Sequence, residues 1–233
     1  MRPRDPNLER IELVAAALGP LREQLVFVGG CAAGLLITDP AAAPIRATLD
    51  VDLAVHVSVL AAYHRVEEEF AKRGFKRDMT RDAPICRWVY RSIEVDLMPD
   101  DARIIGFSNR WYPLTISTAQ TYTLPRGVSI LLVAAPPFLG TKFEAFRDRG
   151  KGDLLASHDL EDIISVIDGR DQALHEIVEA PVELRSYLAA ECKALLQMKD
   201  FEYLLPAIVN DGDSPPLRAD MVLQRLRSIT ESG

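Results

Sequence analysis

Arg46-Ala47-Thr48-Leu49-Asp50-Val51-Asp52-Leu53 is the most informative stretch of the 233-residue sequence. Successive side chains of a strand point to opposite faces, so Thr48, Asp50 and Asp52 are predicted to share one face. The opposite, core-facing side is predicted to hold Leu49, Val51, Leu53 and Val55. Two carboxylates so close repel each other, and a hard cation such as Mg²⁺ relieves that repulsion. The alternative is a polar strand edge that faces solvent.

A short apolar strand and two glycines precede this stretch. Leu25-Val26-Phe27-Val28 has the composition of a buried strand, Gly29 and Gly30 follow it directly, and Cys31–Ile37 is predicted to be a helix. Glycines at such a junction let the backbone approach a ligand closely, and free N–H groups at a helix start bind phosphate. The sequence therefore predicts a phosphate cradle, followed on the next strand by a pair of metal-binding carboxylates.

Residues 85–90 and 93–98 are predicted to form a hairpin around Arg91-Ser92. Its second strand, Ile93-Glu94-Val95-Asp96-Leu97-Met98, supplies a third carboxylate, since the alternation points Asp96 away from the core. This order of apolar strand, Gly-Gly, helix, D-x-D and later carboxylate resembles the nucleotidyltransferase superfamily, which has the DNA polymerase β-like fold. The resemblance implies that Asp50, Asp52 and Asp96 hold Mg²⁺ ions in a two-metal site. It also implies that the two glycines hold the triphosphate of a nucleotide.

A second group of residues lies further along the chain and comprises Lys142, Ala145, Arg149, Asp159 and Asp162. Its pattern resembles a later motif of the AbiEii-type nucleotidyltransferases, the toxin family of type IV toxin–antitoxin systems, whose members include enzymes that add nucleotides to tRNA. With the first motif it covers roughly residues 25–165. The resemblance implies that Lys142 lies near the triphosphate and that Asp159 and Asp162 help to complete the nucleotide site.

The chemistry of these residues agrees with such roles. Lysine acts as a point charge on phosphate oxygens, and Asp159 and Asp162, three residues apart on a helix, share one face from which they could orient Lys142 or a water. The alternative is a solvated helix start, where the helix dipole favours acids. Arg46 and Thr48 stand where the family often has a serine; we predict that Arg46 binds phosphate and that Thr48 replaces the serine hydroxyl.

The composition narrows the class of protein. Hydrophobic residues make up 48% of the chain, the net charge is -7 and the pI is about 5.2. A protein that coats nucleic acid is usually basic, so a small acceptor or an RNA end held by a local basic patch fits better. The candidate patch is Lys72, Arg73, Lys76, Arg77 and Arg81. The three separated cysteines predict no disulfide framework, and the lack of a signal peptide or membrane span predicts a cytoplasmic protein.

The predicted fold class is α+β, with two domains. Residues 1–135 are predicted to form the polymerase β-like nucleotidyltransferase domain, a mixed sheet with flanking helices. From Pro136 onward the hydrophobic spacing becomes helical, so residues 136–233 are predicted to form a helical domain. Residues 211–216 are predicted to be a loop because they are rich in Asp, Gly, Ser and Pro.

The combined prediction is a Mg²⁺-dependent nucleotidyltransferase. An acceptor hydroxyl attacks the α-phosphate of an NTP such as ATP, pyrophosphate leaves, and Asp96 binds the metal that activates the hydroxyl or serves as its base. By resemblance the acceptor is the end of a tRNA and a cognate antitoxin is a further partner. The alternatives are an antibiotic-like small molecule or a protein as acceptor, and a non-catalytic nucleotide-binding regulator on the same fold. A nucleotide-binding oxidoreductase is a more distant alternative, since G-x-G-x-x-G is absent.

Overall fold

The computed structural model describes residues 5–149, 153–209 and 215–233, without the side chains of residues 215 and 216. Its described residues divide into two compact units. The sheet unit comprises Pro6–Ala32 and Arg46–Ala134, and the helical unit comprises Asp5, Ala33–Ile45 and the described residues from Ala135 onward. The fold is α+β, as predicted, and the boundary near Pro136 stays a prediction.

The sheet unit contains one mixed sheet. Its strands are β1 Leu25–Val28, β2 Asp50–Val55, β3 Lys76–Arg77, β4 Arg87–Tyr90, β5 Ile93–Pro99, β6 Gln120–Thr123 and β7 Ser129–Leu132. They lie in the order β3-β4-β5-β2-β1-β7-β6. Strand β2 pairs with β5, and β1 with β7, in parallel; the other neighbours are antiparallel. Strand β1 is buried along its whole length, as its apolar composition predicted.

The helices, in chain order, are α1 Leu8–Leu18, α2 Gly29–Leu36, α3 Leu60–Lys72, α4 Ala102–Ile105, α5 Tyr112–Ser117, α6 Ala135–Arg149, α7 His158–Gly169, α8 Ala173–Glu179, α9 Val182–Leu196, α10 Phe201–Val209 and α11 Pro215–Glu231. Helix α3 buries an apolar face in the sheet unit. Its Phe70 ring lies 4.7 Å from the Phe75 ring and 5.6 Å from the Trp88 ring, and its Tyr63 hydroxyl donates to the Leu97 carbonyl at 2.9 Å. These contacts hold α3 against β4 and β5.

Several predicted elements differ from the structure. Leu49 was predicted to face the core, and this is wrong: it is 73% exposed, because β2 begins only at Asp50. The sequence of residues 117–124 predicts a strand over the whole stretch, but the observed strand is shorter, since α5 ends at Ser117 and β6 covers only Gln120–Thr123. The β4–β5 hairpin around residues 91–92 is confirmed.

The helical unit joins α6 to α11 with the segment Ala33–Ile45. Helix α6 begins with Ala135-Pro136-Pro137, where proline is tolerated because the first N–H groups of a helix have no partner within it. Helix α7 starts at a Ser157 cap, whose hydroxyl accepts from the Leu160 N–H. Of the predicted loop at 211–216, residues 211–214 lie outside the described residues, and α11 already begins at Pro215. No helix among the described residues combines the length and apolar character needed to cross a bilayer.

Candidate metal and nucleotide site

The D-x-D aspartates and Asp96 meet on neighbouring strands. In the parallel pairing of β2 and β5, Asp52 lies beside Asp96 and Asp50 beside Glu94, so their side chains share one face of the sheet. Asp50, Asp52 and Asp96 each offer an oxygen within 4.8 Å of the others'. The structure therefore brings the predicted carboxylate triad together in the way that the alternation indicated.

Gly29 closes one side of this cluster. Its φ is +68°, a conformation that glycine adopts without strain. A Cβ built on Gly29 would lie 1.7 Å from Asp52 Oδ2, so the Asp52 carboxylate occupies the space that any other side chain would need. Helix α2 starts at this glycine, and Gly30 follows in its first turn. The predicted glycine junction thus lies against one of the predicted metal ligands.

Arg87 on β4 closes the other side, and it was missed by the sequence analysis. Its Nε lies 2.9 Å from Asp96 Oδ1 and one terminal nitrogen lies 2.8 Å from Asp96 Oδ2. The two side chains therefore form a bidentate salt bridge. The nitrogen that contacts Asp96 also lies 3.9 Å from Asp50, and the other terminal nitrogen lies 2.6 Å from Glu94. These partners, Asp96 first, raise the Arg87 pKa above its ordinary value, so the guanidinium stays charged.

The hairpin itself contained the signal for Arg87. Counting outward from a two-residue turn at 91–92 pairs residue 90 with 93 and therefore residue 87 with 96, which is the register found. Arg87 is thus the direct cross-strand neighbour of Asp96, and opposite charges at such positions attract each other. The missed step was to continue the register from the predicted turn to the predicted ligand.

The segment before β2 is held by Asn7. Its side-chain oxygen accepts from the Thr48 N–H at 2.8 Å, and its amide group donates to the Arg46 carbonyl at 3.1 Å. Thr48 is buried, and its hydroxyl donates to the Asp50 carbonyl at 3.2 Å. Thr48 therefore helps to shape the start of β2, and the predicted contacts of Arg46 and Thr48 with a nucleotide stay predictions.

The second motif forms a cluster within the helical unit. Lys142 on α6 lies 2.6 Å from Asp162 and 3.2 Å from Asp159, both on α7. Arg149 also reaches Asp159, at 3.0 Å. Lys142, Asp159 and Asp162 are all buried, and burial makes such pairing necessary. Both aspartates therefore contact the Lys142 ammonium group. That they orient it, and that these three residues bind a nucleotide, stay predictions.

The carboxylate triad fits a divalent metal ion. All of its potential ligands are carboxylate oxygens, the donors that hard cations prefer, and the Asp52 carboxylate lies directly against the Gly29 backbone. Mg²⁺, Mn²⁺ and Ca²⁺ all accept oxygen ligands of this kind.

Comparisons with known proteins agree at the level of fold. The chain is similar to an antigenic nucleotidyltransferase-like protein from Paracoccidioides brasiliensis, with 21% identity, a TM-score of 0.53, and coverage of 90% of this chain and 94% of that one. A candidate nucleotidyltransferase from H. pylori matches with 14% identity and a TM-score of 0.46, over 99% of this chain and 96% of that one. No protein-family model and no curated protein matches the sequence. The similarity to the Paracoccidioides brasiliensis structure confirms the predicted nucleotidyltransferase-like fold, and the finer resemblance to AbiEii-type toxins stays a prediction.

Proposed function

We propose that the protein is a metal-dependent nucleotidyltransferase that moves an NMP group from an NTP to an acceptor hydroxyl. The observation that carries this proposal is the carboxylate triad beside a glycine junction at a helix start. Asp50, Asp52 and Asp96 converge to within 4.8 Å, and Gly29 leaves room for Asp52. The first N–H groups of a helix have no partner within it, and those at the start of α2 therefore suit a phosphate group.

The proposed reaction is an in-line displacement at the α-phosphorus. The acceptor oxygen forms a bond to this phosphorus, the bond to the bridging oxygen breaks, and pyrophosphate leaves with the electron pair. Asp50, Asp52 and Asp96 would hold Mg²⁺, which supplies Lewis-acid stabilisation of the phosphate charge. Asp96 accepts the proton of the acceptor hydroxyl, directly or through a water. The half-buried position of Asp50, compared with the buried Asp96, leaves it open to solvent and substrate.

The nucleotide would be held by groups of opposite charge. Gly29 and Gly30 offer backbone N–H groups to the triphosphate, and Arg46 adds a guanidinium that matches phosphate geometry. Thr48 shapes the strand start next to Asp50. For Lys142, which contacts Asp159 and Asp162 within the helical unit, it is the family resemblance that supports a role as a point charge for the triphosphate. ATP is the first nucleotide to test.

The acceptor that the sequence resemblance favours is the end of a tRNA, as in toxins of type IV toxin–antitoxin systems, and a cognate antitoxin would then be a partner in the cytoplasm. A label-transfer assay tests this directly. The protein is incubated with Mg²⁺, total tRNA and each of the four NTPs carrying α-³²P, beside Asp52→Asn and the control Asp82→Asn, which changes an exposed aspartate of the same unit.

Labelled tRNA from the wild type and from Asp82→Asn, but not from Asp52→Asn, is the expected result, and it identifies the base. Metal-dependent NTP binding without labelled RNA would shift the acceptor to a small molecule or a protein. If the wild type neither labels tRNA nor binds any NTP, this result would contradict the proposed transfer.

A further inference from the structure

Arg87 occupies the position at which a metal ion would have to engage Asp96. Both Asp96 oxygens already accept a hydrogen bond from the guanidinium, at 2.9 and 2.8 Å. The Asp96 side chain is 10% exposed and the Arg87 side chain is 20% exposed, so water screens this pair only weakly. The charge-assisted hydrogen bonds of such a bidentate salt bridge are among the strong hydrogen bonds of proteins.

Arg87 is also a counter-charge for the cluster as a whole. Asp50, Glu94 and Asp96 all lie within 3.9 Å of its guanidinium. Like charges at such separations raise each other's energy, and a positive group among them relieves this repulsion when no metal ion is bound. A divalent ion does the same, and it repels a guanidinium placed on the same carboxylate.

Glu94 is an alternative ion-pair partner for the Arg87 guanidinium. It contacts the other terminal nitrogen of the guanidinium at 2.6 Å, and its side chain is 39% exposed. Glu94 lies beside Asp50 in the register but outside the convergent triad. Arginine has a long side chain with several rotatable bonds. One of its terminal nitrogens already contacts Glu94, so a guanidinium released from Asp96 keeps a partner of opposite charge.

We propose that Arg87 is a resident counter-cation that competes with the metal ion for Asp96 and transfers to Glu94 when the metal binds. Arg87 then sets the metal concentration at which the site fills, and it is a positioning residue rather than a catalytic one. This proposal rests on the metal site of the proposed function. It predicts that removing the arginine makes metal binding tighter, whereas loss of an ordinary structural contact would make it weaker.

The test is the metal affinity of the purified protein, measured by titration calorimetry with Mg²⁺ and, separately, Mn²⁺ in the absence of nucleotide. Arg87→Gln is expected to bind the ion about tenfold more tightly or better, since a charge-assisted pair no longer has to break. Arg91→Gln removes the same charge from the exposed turn of the same hairpin and is expected to change the affinity little. Glu94→Gln is expected to weaken binding, because the released guanidinium loses its partner.

Thermal melting separates competition from misfolding. In EDTA the Arg87→Gln variant is expected to melt below the wild type, since its carboxylates repel without relief, and saturating Mg²⁺ is expected to raise its melting temperature more than that of the wild type. A direct reading needs no variant: the Arg87 Nε–H resonance of the wild type, assigned by its loss in Arg87→Lys, is expected to shift during a Mg²⁺ titration.

The outcomes distinguish this inference from the function on which it rests. Equal or weaker metal binding by Arg87→Gln, or an Arg87 resonance that stays in place while the metal binds, would overturn the competition alone. Absence of metal binding in the wild type and in every variant would overturn the metal site, and the proposed transfer with it.

Discussion

Gly29 is the residue whose identity is most tightly constrained by the site. Gly29→Ala places a Cβ 1.7 Å from Asp52 Oδ2 and keeps a φ of +68°, so the Asp52 carboxylate has to move. Gly106→Ala is the matched control: its φ is +90°, but a Cβ there meets nothing within 4 Å. Both variants are expected to lose about 1–2 kcal/mol of stability from the left-handed backbone.

We expect only Gly29→Ala to lose metal binding as well, because only there does the new atom displace a ligand. Urea denaturation measures the first effect and titration calorimetry the second. Metal binding by Gly29→Ala at wild-type affinity would show that Asp52 is not a ligand in its present position.

Cys86 lies beside the acidic cluster, and its thiol is predicted to be inert. Burial, and then the charge of Asp96, raise its pKa to about 12, so roughly one thiol in ten thousand is ionised at pH 8. Cys31 and Cys192 are also buried. The native protein is therefore expected to react slowly with DTNB and to release three equivalents only after unfolding. Rapid modification of Cys86 in the native state would contradict its burial against β5.

At the level of elements, Lys142 joins α6 to α7 through two buried aspartates. Lys142→Met leaves these carboxylates buried with reduced compensation and is expected to cost about 3 kcal/mol or more of unfolding free energy. Arg149→Met removes a side chain that is 70% exposed and is expected to cost less than about 1 kcal/mol. The double variant Lys142→Met, Asp162→Leu is expected to regain part of the loss, since it removes a buried charge. Chemical denaturation checks all three, and a loss below 1 kcal/mol in Lys142→Met would contradict the buried pairing.

The connection between α2 and β2 is fastened to α7 and α11 within the helical unit. Asp39 accepts from the Ala41 N–H at 2.8 Å and from Arg218 at 2.8 Å, and these contacts hold its pKa below the usual 3.8. Asp168, which shares Arg218, has its pKa raised because it is buried. The two aspartates therefore respond to acid in opposite directions.

A depressed carboxyl pKa adds stability above the unfolded value, and this stability is lost as the pH falls through the folded value. The stability advantage of the wild type over Asp39→Asn is therefore expected to be largest near pH 6 and to shrink below about pH 4. Urea denaturation at several pH values measures it. An advantage that stays constant down to pH 3 would contradict the proposed role of the Asp39 charge. Comparison with the variant isolates Asp39 from the opposing effect of Asp168.

The sequence predicted the elements that follow from short-range alternation. The D-x-D strand, the hairpin and the glycine junction were sufficient to bring Asp50, Asp52 and Asp96 together on one face. The exposure of Leu49 was not predictable in this way, because the start of β2 depends on Asn7, which lies 41 positions from Thr48. The ion pair of Arg218 with Asp39 joins residues 179 positions apart. The spacing of residues within a single helix or strand cannot predict such a contact.

At the scale of the whole molecule, charge limits how an RNA acceptor could be held. The net charge is -7. Several residues of the basic run predicted as an RNA-binding patch form ion pairs with acidic residues of the protein itself. Lys72 and Arg73 pair with Glu69, and Arg77 pairs with Glu67. The cationic side chains of this run are therefore largely neutralised by neighbouring acids. Few of their positive charges are left to attract RNA phosphates.

Binding of tRNA in the absence of nucleotide is consequently expected to be weak and only mildly dependent on salt. Each phosphate neutralised by a cationic side chain contributes about one unit to the slope of log K against log salt, and a slope of about 3 or less is expected here. Fluorescence anisotropy with labelled tRNA between 50 and 300 mM KCl measures it, with Lys76→Glu, Arg81→Glu as the variant that tests the rest of the run. A slope near 6 or steeper would require a basic surface beyond this run. A shallow slope together with labelled tRNA in the transfer assay would mean that the acceptor is recognised at its end, where few phosphates are in reach.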